Sequence, residues 1–165
     1  MRYSVIEDYS IDNGPGVRVV VWTQGCPHMC KGCHNPHTWK ESGGEPFTEK
    51  ERDYVMEKLD EYLPKDLSIL GGEPLAPYNR EGVAELLGYI KKHRPQTEVW
   101  LWTGYLWEDI HELDAIKHVD VVVDGPFKMQ EWEESLFWKG SRNQRVIDVK
   151  ETKRTGNIIL VEGDR

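Results

Sequence analysis

The sequence predicts an α/β fold built on a largely parallel sheet. Three observations carry that expectation. Apolar, β-branched runs alternate along the chain with segments of helical period, the order that a parallel sheet with helical crossovers produces. One run, Val99-Trp100-Leu101-Trp102, is apolar on both faces, as a strand is when helices cover it or a barrel closes around it. The chain has 165 residues, enough for one domain with a single sizeable core. A complete (β/α)8 barrel takes about 250 residues, so any barrel here is incomplete.

The elements follow in order. Residues 17–22 read as a strand rich in valine. Residues 47–63 read as a helix, with Thr48 and Glu51 spaced as a capping box and Val55, Leu59, Tyr62 and Leu63 on one face. Residues 67–70 make a short strand ending at Gly71. The next helix starts near Asn79 and stops before Pro95, and Val83, Leu86, Leu87 and Ile90 fit the helical template. Leu106, Ile110 and Leu113 suggest a further helix. Residues 119–123, 145–149 and 157–161 complete the strands. Right-handed crossovers would gather the strands' carboxyl ends at one mouth, where ligands usually bind. Four loops follow four strands in that way: the cysteine loop, Gly71-Gly72-Glu73-Pro74, Thr103-Gly104-Tyr105 and Asp124-Gly125-Pro126.

Charge and composition exclude several classes. Twenty-nine acids face 21 lysines and arginines, for a net charge of −8. A nucleic-acid binder needs a basic footprint, so none is expected. The basic run Lys91-Lys92-His93-Arg94 ends a predicted helix, where cations suit the dipole. The first ten residues lack a signal-peptide core, and no stretch approaches the roughly 20 apolar residues that cross a bilayer. The expectation is a cytoplasmic protein with no membrane partner.

All three cysteines, Cys26, Cys30 and Cys33, fall in one loop with the spacing C-x3-C-x2-C. An odd, clustered set is a poor disulfide framework and a good metal site. Closed zinc sites and electron-carrying iron–sulfur clusters usually take four protein ligands. Three leave one position open, which is what catalysis at a metal requires. Zinc held with His28, His34 or His37 as a fourth ligand is the alternative, and it would make the protein a metal-stabilised binding module.

The triplet resembles the signature of the radical S-adenosylmethionine enzymes. The resemblance implies a 4Fe–4S cluster on Cys26, Cys30 and Cys33, with the open iron chelating the cofactor's methionine moiety. It further implies that one electron cleaves the sulfonium to give a 5′-deoxyadenosyl radical. That family usually has an aromatic before the last cysteine; here the position is Gly32, with His34 the nearest ring.

Gly71-Gly72-Glu73-Pro74 resembles the family's GGE motif, which meets the cofactor's ammonium. Glycines permit close backbone approach, and carbonyls or a carboxylate accept from an ammonium. The same letters recur at Gly43-Gly44-Glu45-Pro46, but that copy follows a polar stretch and reads as a plain turn. Thr103 is a candidate for the ribose or carboxylate, or a turn residue. Asp124 is a candidate for the ribose hydroxyls, or a turn aspartate. Trp100 and Trp102 are cofactor neighbours or core.

Further segments narrow the resemblance. Gly25-Cys26-Pro27, Cys33-His34-Asn35-Pro36, Thr38-Trp39, Trp100-Leu101-Trp102-Thr103-Gly104-Tyr105, residues 120–127 and Trp138-Lys139-Gly140-Ser141-Arg142-Asn143-Gln144-Arg145 look like the activating enzymes of anaerobic ribonucleoside-triphosphate reductase. Asp12-Asn13-Gly14-Pro15-Gly16 resembles the lead-in to the first strand of glycyl-radical activases. The resemblance implies a single domain over residues 1–165, folded as an incomplete TIM-like barrel of (β/α)6 type. It implies hydrogen-atom abstraction from a glycine of the reductase, with a low-potential, flavodoxin-like electron donor. No protein acid or base is assigned, because that step needs none. A metabolite or another glycyl-radical enzyme is the alternative substrate. Trp132, Phe137 and Trp138 cap the core or face the partner.

Overall fold

A computed structural model describes residues 1–61, 64–161 and 163. Its seven strands form one mixed sheet: β1 (Arg2–Ser10), β2 (Arg18–Thr23), β3 (Glu45–Pro46), β4 (Asp66–Gly71), β5 (Val99–Trp102), β6 (Val121–Asp124) and β7 (Arg145–Asp148). The spatial order is β3-β1-β2-β4-β5-β6-β7. The four central strands, β2, β4, β5 and β6, are parallel, as expected. β1, β3 and β7 pair antiparallel at the flanks. Four α-helices are described: α1 (Glu49–Leu59), α2 (Arg80–His93), α3 (Trp107–Ile110) and α4 (Val149–Thr155). No described helix is long and apolar enough to cross a membrane.

Register sorts the side chains onto two faces. Val19, Val21, Leu67, Ile69, Val99, Leu101, Val122 and Ile147 form one buried cluster with Val55 and Leu59 of α1 and Val83, Leu86, Leu87 and Ile90 of α2. The alternate positions Trp100, Val121, Val123 and Val146 form a second cluster, joined by Trp102 and Trp138. Fully buried Arg18 lies on that side, its Nε donating to Ser68 Oγ at 2.6 Å and its guanidinium 5.6 Å from the Trp100 ring.

The expected helix termini hold where they are described. Thr48 and Glu51 make the capping box of α1. That helix ends at Leu59, and Tyr62 and Leu63, which were expected to extend its apolar face, lie outside the described residues. α2 begins after Asn79 and ends at His93, with its four expected apolar positions buried.

Several expectations are corrected. The helix expected through Leu106, Ile110 and Leu113 is a single turn, α3, and Leu113 then takes an extended conformation before a 3-10 turn at Asp114–His118. Residues 157–161 form no strand. α4 intervenes, capped by Asp148 and closed by left-handed Gly156, and the returning chain meets β7 only at the isolated bridge between Ile147 and Leu160. The polar GGEP copy is more than a turn: Glu45 and Pro46 pair with Tyr3 and Arg2 as β3. β1 was not anticipated at all.

Candidate metal and cofactor site

β2 runs into the cysteine loop, whose base is closed by main-chain bonds. Gly25 N–H donates to Thr38 O at 2.7 Å and Cys26 N–H to Trp39 O at 3.1 Å. The loop leaving β4 docks onto that base. Gly72 N–H reaches Thr23 O at 2.9 Å and Glu73 N–H reaches Gly25 O at 2.7 Å. The glycines make this approach possible. A Cβ on Gly72 would stand 2.3 Å from Gly25 O, and Gly71 holds φ +111 with Thr23 N at 2.5 Å from its Cβ position. Any side chain there would push the two loops apart.

Glu73, fully buried, ties three loops together. One carboxylate oxygen accepts from Leu75 N–H (2.9 Å) and Thr103 Oγ1 (2.7 Å). The other accepts from Gly104 N–H (2.7 Å) and contacts His28 Nε2 in the cysteine loop (2.7 Å). The Tyr105 ring meets His28 in a T-shaped contact at 4.6 Å. Below, the amide of buried Asn79 donates to Gln24 O at 2.8 Å and Glu73 O at 3.1 Å.

The three thiols are free and partly buried. Burial pushes the Cys26 and Cys30 thiols up, so loading a metal centre must displace their protons. Asn35 N–H points at Cys33 Sγ from 3.3 Å, a donor suited to a thiolate. Among the described residues, no three His, Cys, Asp or Glu side chains converge as ligands of a single ion do. A multi-iron cluster asks less convergence, since each thiolate binds its own iron.

Eight of the predicted site residues meet in one cavity: Cys26, Cys30, Cys33, His34, Gly71, Gly72, Glu73 and Thr103. Its volume is about 530 Å³, within the range of small-molecule sites. Two predicted residues sit beside it. Gly32, at φ +76, has the Met129 thioether where a side chain would be: Sδ lies 2.8 Å from its Cβ position. Asp124 is fully buried beneath the mouth, accepting from Trp107 N–H at 2.7 Å and paired with Arg145. That pair and Glu108 hold the Arg145 guanidinium above its ordinary value. His34 lies 5.5 Å from the Phe127 ring.

The cavity also recruits residues that sequence reasoning did not assign. The indole N–H groups of Trp22 and Trp39, both on its wall, are buried with no partner among the described residues. Each such orphan costs about 1–3 kcal/mol unless an acceptor arrives. Three thiols, two orphaned donors and a glycine-lined floor fit a cluster with an organic ligand above it. The far wall is the loop after β6. Gln144 Oε1 accepts from Gly140 N–H and Ser141 N–H (2.9 and 3.1 Å), and its amide donates to Gly125 O at 2.9 Å. Trp138 has φ 64, and its carbonyl accepts from Trp102 Nε1 at 2.6 Å.

Comparison with known proteins identifies the chain's relatives. A family described as a 4Fe-4S single cluster domain matches residues 12–147. The anaerobic ribonucleoside-triphosphate reductase-activating protein of Enterobacteria phage T4 is 40% identical over 146 residues, covering 88% of this chain and 93% of that protein. Its namesakes in Vibrio cholerae and Escherichia coli K12 are each 35% identical, covering 87% and 88% of this chain and 96% and 97% of their own lengths. Matches of this extent show that the chain belongs to the family of anaerobic ribonucleoside-triphosphate reductase-activating proteins and carries its 4Fe–4S single cluster domain.

Proposed function

We propose that this chain is a radical S-adenosylmethionine enzyme that activates an anaerobic ribonucleoside-triphosphate reductase by installing a glycyl radical on it. The observation that carries the reading is the junction at Glu73. One buried carboxylate fixes the cysteine loop, the glycine loop and the Thr103-Gly104 loop around a single cavity. Cys26, Cys30 and Cys33 would hold the 4Fe–4S cluster, leaving one iron open for S-adenosylmethionine. Together the bound groups would supply reductive cleavage of the sulfonium and a 5′-deoxyadenosyl radical able to take hydrogen from a glycine Cα.

The chain's own residues bind, orient and exclude water. Gly71 and Gly72 would offer main-chain carbonyls to the cofactor's ammonium. Glu73 acts on the cofactor through the loops it joins, since its oxygens already have four partners. The orphaned Trp22 and Trp39 indoles would donate to acceptors of the bound group. Gly32 and His34 border the site, with Thr103 and Asp124 holding its loops. The sheet would curl as an incomplete TIM-like barrel, a single domain open at its carboxyl-end mouth to a peptide. A low-potential, flavodoxin-like protein would supply the electron, in the cytoplasm.

The test is anaerobic. Reconstituted enzyme, S-adenosylmethionine, reductant and the cognate reductase should give a glycyl-radical doublet by electron spin resonance. A fully loaded enzyme that cleaves S-adenosylmethionine yet leaves the reductase without that doublet would sink the reading.

A further inference from the structure

Gly104 is a glycine that its own backbone does not require. It takes no left-handed conformation. The N–H it donates to Glu73 would be present in any residue but proline. The reason for the glycine is a neighbour. A Cβ on Gly104 would stand 2.4 Å from Cδ2 of the His28 ring and 2.6 Å from its Nε2. The loop after β5 lacks a side chain just where a ring from the cysteine loop enters it.

That ring is held on three sides. Gly104 lies against its Cδ2 edge, the Tyr105 ring meets it at 71°, and Glu73 Oε2 lies 2.7 Å from Nε2. The Glu73 oxygens also receive Leu75 N–H, Thr103 Oγ1 and Gly104 N–H. The carboxylate acts only as an acceptor there, so the proton of the fourth bond belongs to His28 Nε2. The His28 side chain is 18% exposed and that of Glu73 fully buried, which shields the bond from competing water.

In the chain, His28 falls between Cys26 and Cys30. The cysteines follow β2, whereas Gly71-Gly72 and Thr103-Gly104 follow β4 and β5. A ligand chelated at the cluster and gripped by the other two loops needs all three placed to within about 0.5 Å.

We propose that His28 is a positioning residue for the cofactor. Seated on Gly104 and bonded to Glu73, it sets where the cysteine triplet stands relative to the loops that grip S-adenosylmethionine. It acts through Glu73 and not on the reacting atoms. This rests on the radical S-adenosylmethionine reading and adds the residue that joins the cluster half of the site to the cofactor half.

Two measurements test it. The first uses the metal-free protein. Gly104→Ala should lower the melting temperature by several degrees, because the added methyl and the ring cannot share the space. In a His28→Ala background the same substitution should cost much less, since the ring is gone.

The second uses the reconstituted protein. His28→Ala should load iron to the wild-type content. It should need about tenfold more S-adenosylmethionine to change the electron spin resonance spectrum of the reduced cluster, the low end for groups that orient metal ligands. His28→Gln carries an amide donor for Glu73 and should recover most of that affinity. His28→Leu fills the space without a donor and should not. Equal melting losses from Gly104→Ala with and without His28 would overturn the proposal. So would a wild-type titration in His28→Ala, iron loading lost in step with affinity, or His28→Gln no better than His28→Leu. A fully loaded wild-type cluster whose spectrum ignores S-adenosylmethionine would instead overturn the reading beneath it.

Discussion

On its helix-covered side the sheet carries Val19, Val21, Leu67, Ile69, Val99 and Leu101, all fully buried and all aliphatic. On the opposite side the same strands carry Arg18, Trp22, Ser68, Trp100 and Trp102. Both faces exclude water over much of their area, but the polar groups buried on the first, such as Thr23 and Asp124, have partners, whereas the second leaves some unmatched. Arg18 is satisfied by the Ser68 hydroxyl and by the carbonyls of Pro15, Leu67 and Glu98. Trp22 and Trp100 keep indole N–H groups with no partner among the described residues. Aliphatic burial stabilises without demanding partners, and the first face does little else. Buried donors must be matched one by one. A face that leaves some unmatched is suited to a ligand rather than to another layer of protein. On the proposed function, ligand binding belongs to the cavity face and stability chiefly to the helix face.

The largest expected effect lies on the cavity side. Cys33→Ala should abolish iron–sulfur loading and cofactor cleavage, measured by iron content and deoxyadenosine release. Its apparent melting temperature without metal should stay near wild type, because Cys33 is outside both buried clusters. A large drop in melting temperature would merge the two roles that the faces keep apart. The mirror experiment is Leu101→Ala on the helix face. It should cost about 2–5 kcal/mol in denaturant unfolding, the range for a fully buried leucine. Activity per folded molecule should survive.

Glu73→Gln sharpens the boundary between the two. A glutamine keeps the shape but turns one acceptor oxygen into a donor. That donor would face either Thr103 Oγ1 and Leu75 N–H or Gly104 N–H and His28. We expect a loss of about 1–3 kcal/mol together with a clear fall in cofactor cleavage, because the junction serves packing and site alike. A variant stable as wild type and equally active would show that the loops need no such tie.

The helix face was the more legible in the sequence. Its strands and helices announce themselves by β-branched runs and by the spacing of Val83, Leu86, Leu87 and Ile90, which depends on neighbours in the chain. β1 was missed because its nine residues alternate imperfectly and leave Val5 exposed; tertiary pairing with β2 makes it a strand. α4 was missed because only Asp148 as cap and Gly156 as stop mark its seven residues. In the candidate site, the cysteines stand out by their spacing, and Gly71-Gly72 by following a strand and by a family resemblance. The His28–Glu73 bond spans 45 positions, and no local pattern pairs them. Glu73 was expected as a cofactor contact; in the folded chain its oxygens meet loop groups that no local pattern brings near. Asp124 was likewise placed at the right strand end, where it meets Arg145, a residue 21 positions away.

The smallest effect tests whether a purely local device on the helix side stays separate from the site. Thr48 and Glu51 close the start of α1, with Thr48 N–H donating to the Glu51 carboxylate at 2.8 Å. The Thr48 hydroxyl and main-chain bonds hold the Glu51 carboxyl below its ordinary value of 4.5. A depressed carboxyl contributes stability that is present above its unfolded value and lost as the pH falls through its folded value. Thr48→Ala should therefore cost about 0.5–2 kcal/mol at neutral pH. The gap from wild type should narrow as the pH drops below 4.5 toward the folded value, because protonated Glu51 no longer accepts as a carboxylate. Denaturant unfolding of both proteins across that range is the measurement. A constant gap would assign the cost to the bond that Thr48 Oγ1 accepts from Lys50 N–H, which does not titrate, instead of to the hydroxyl's bond with Glu51. Cofactor cleavage at neutral pH should be unchanged, since α1 contributes nothing to the cavity wall.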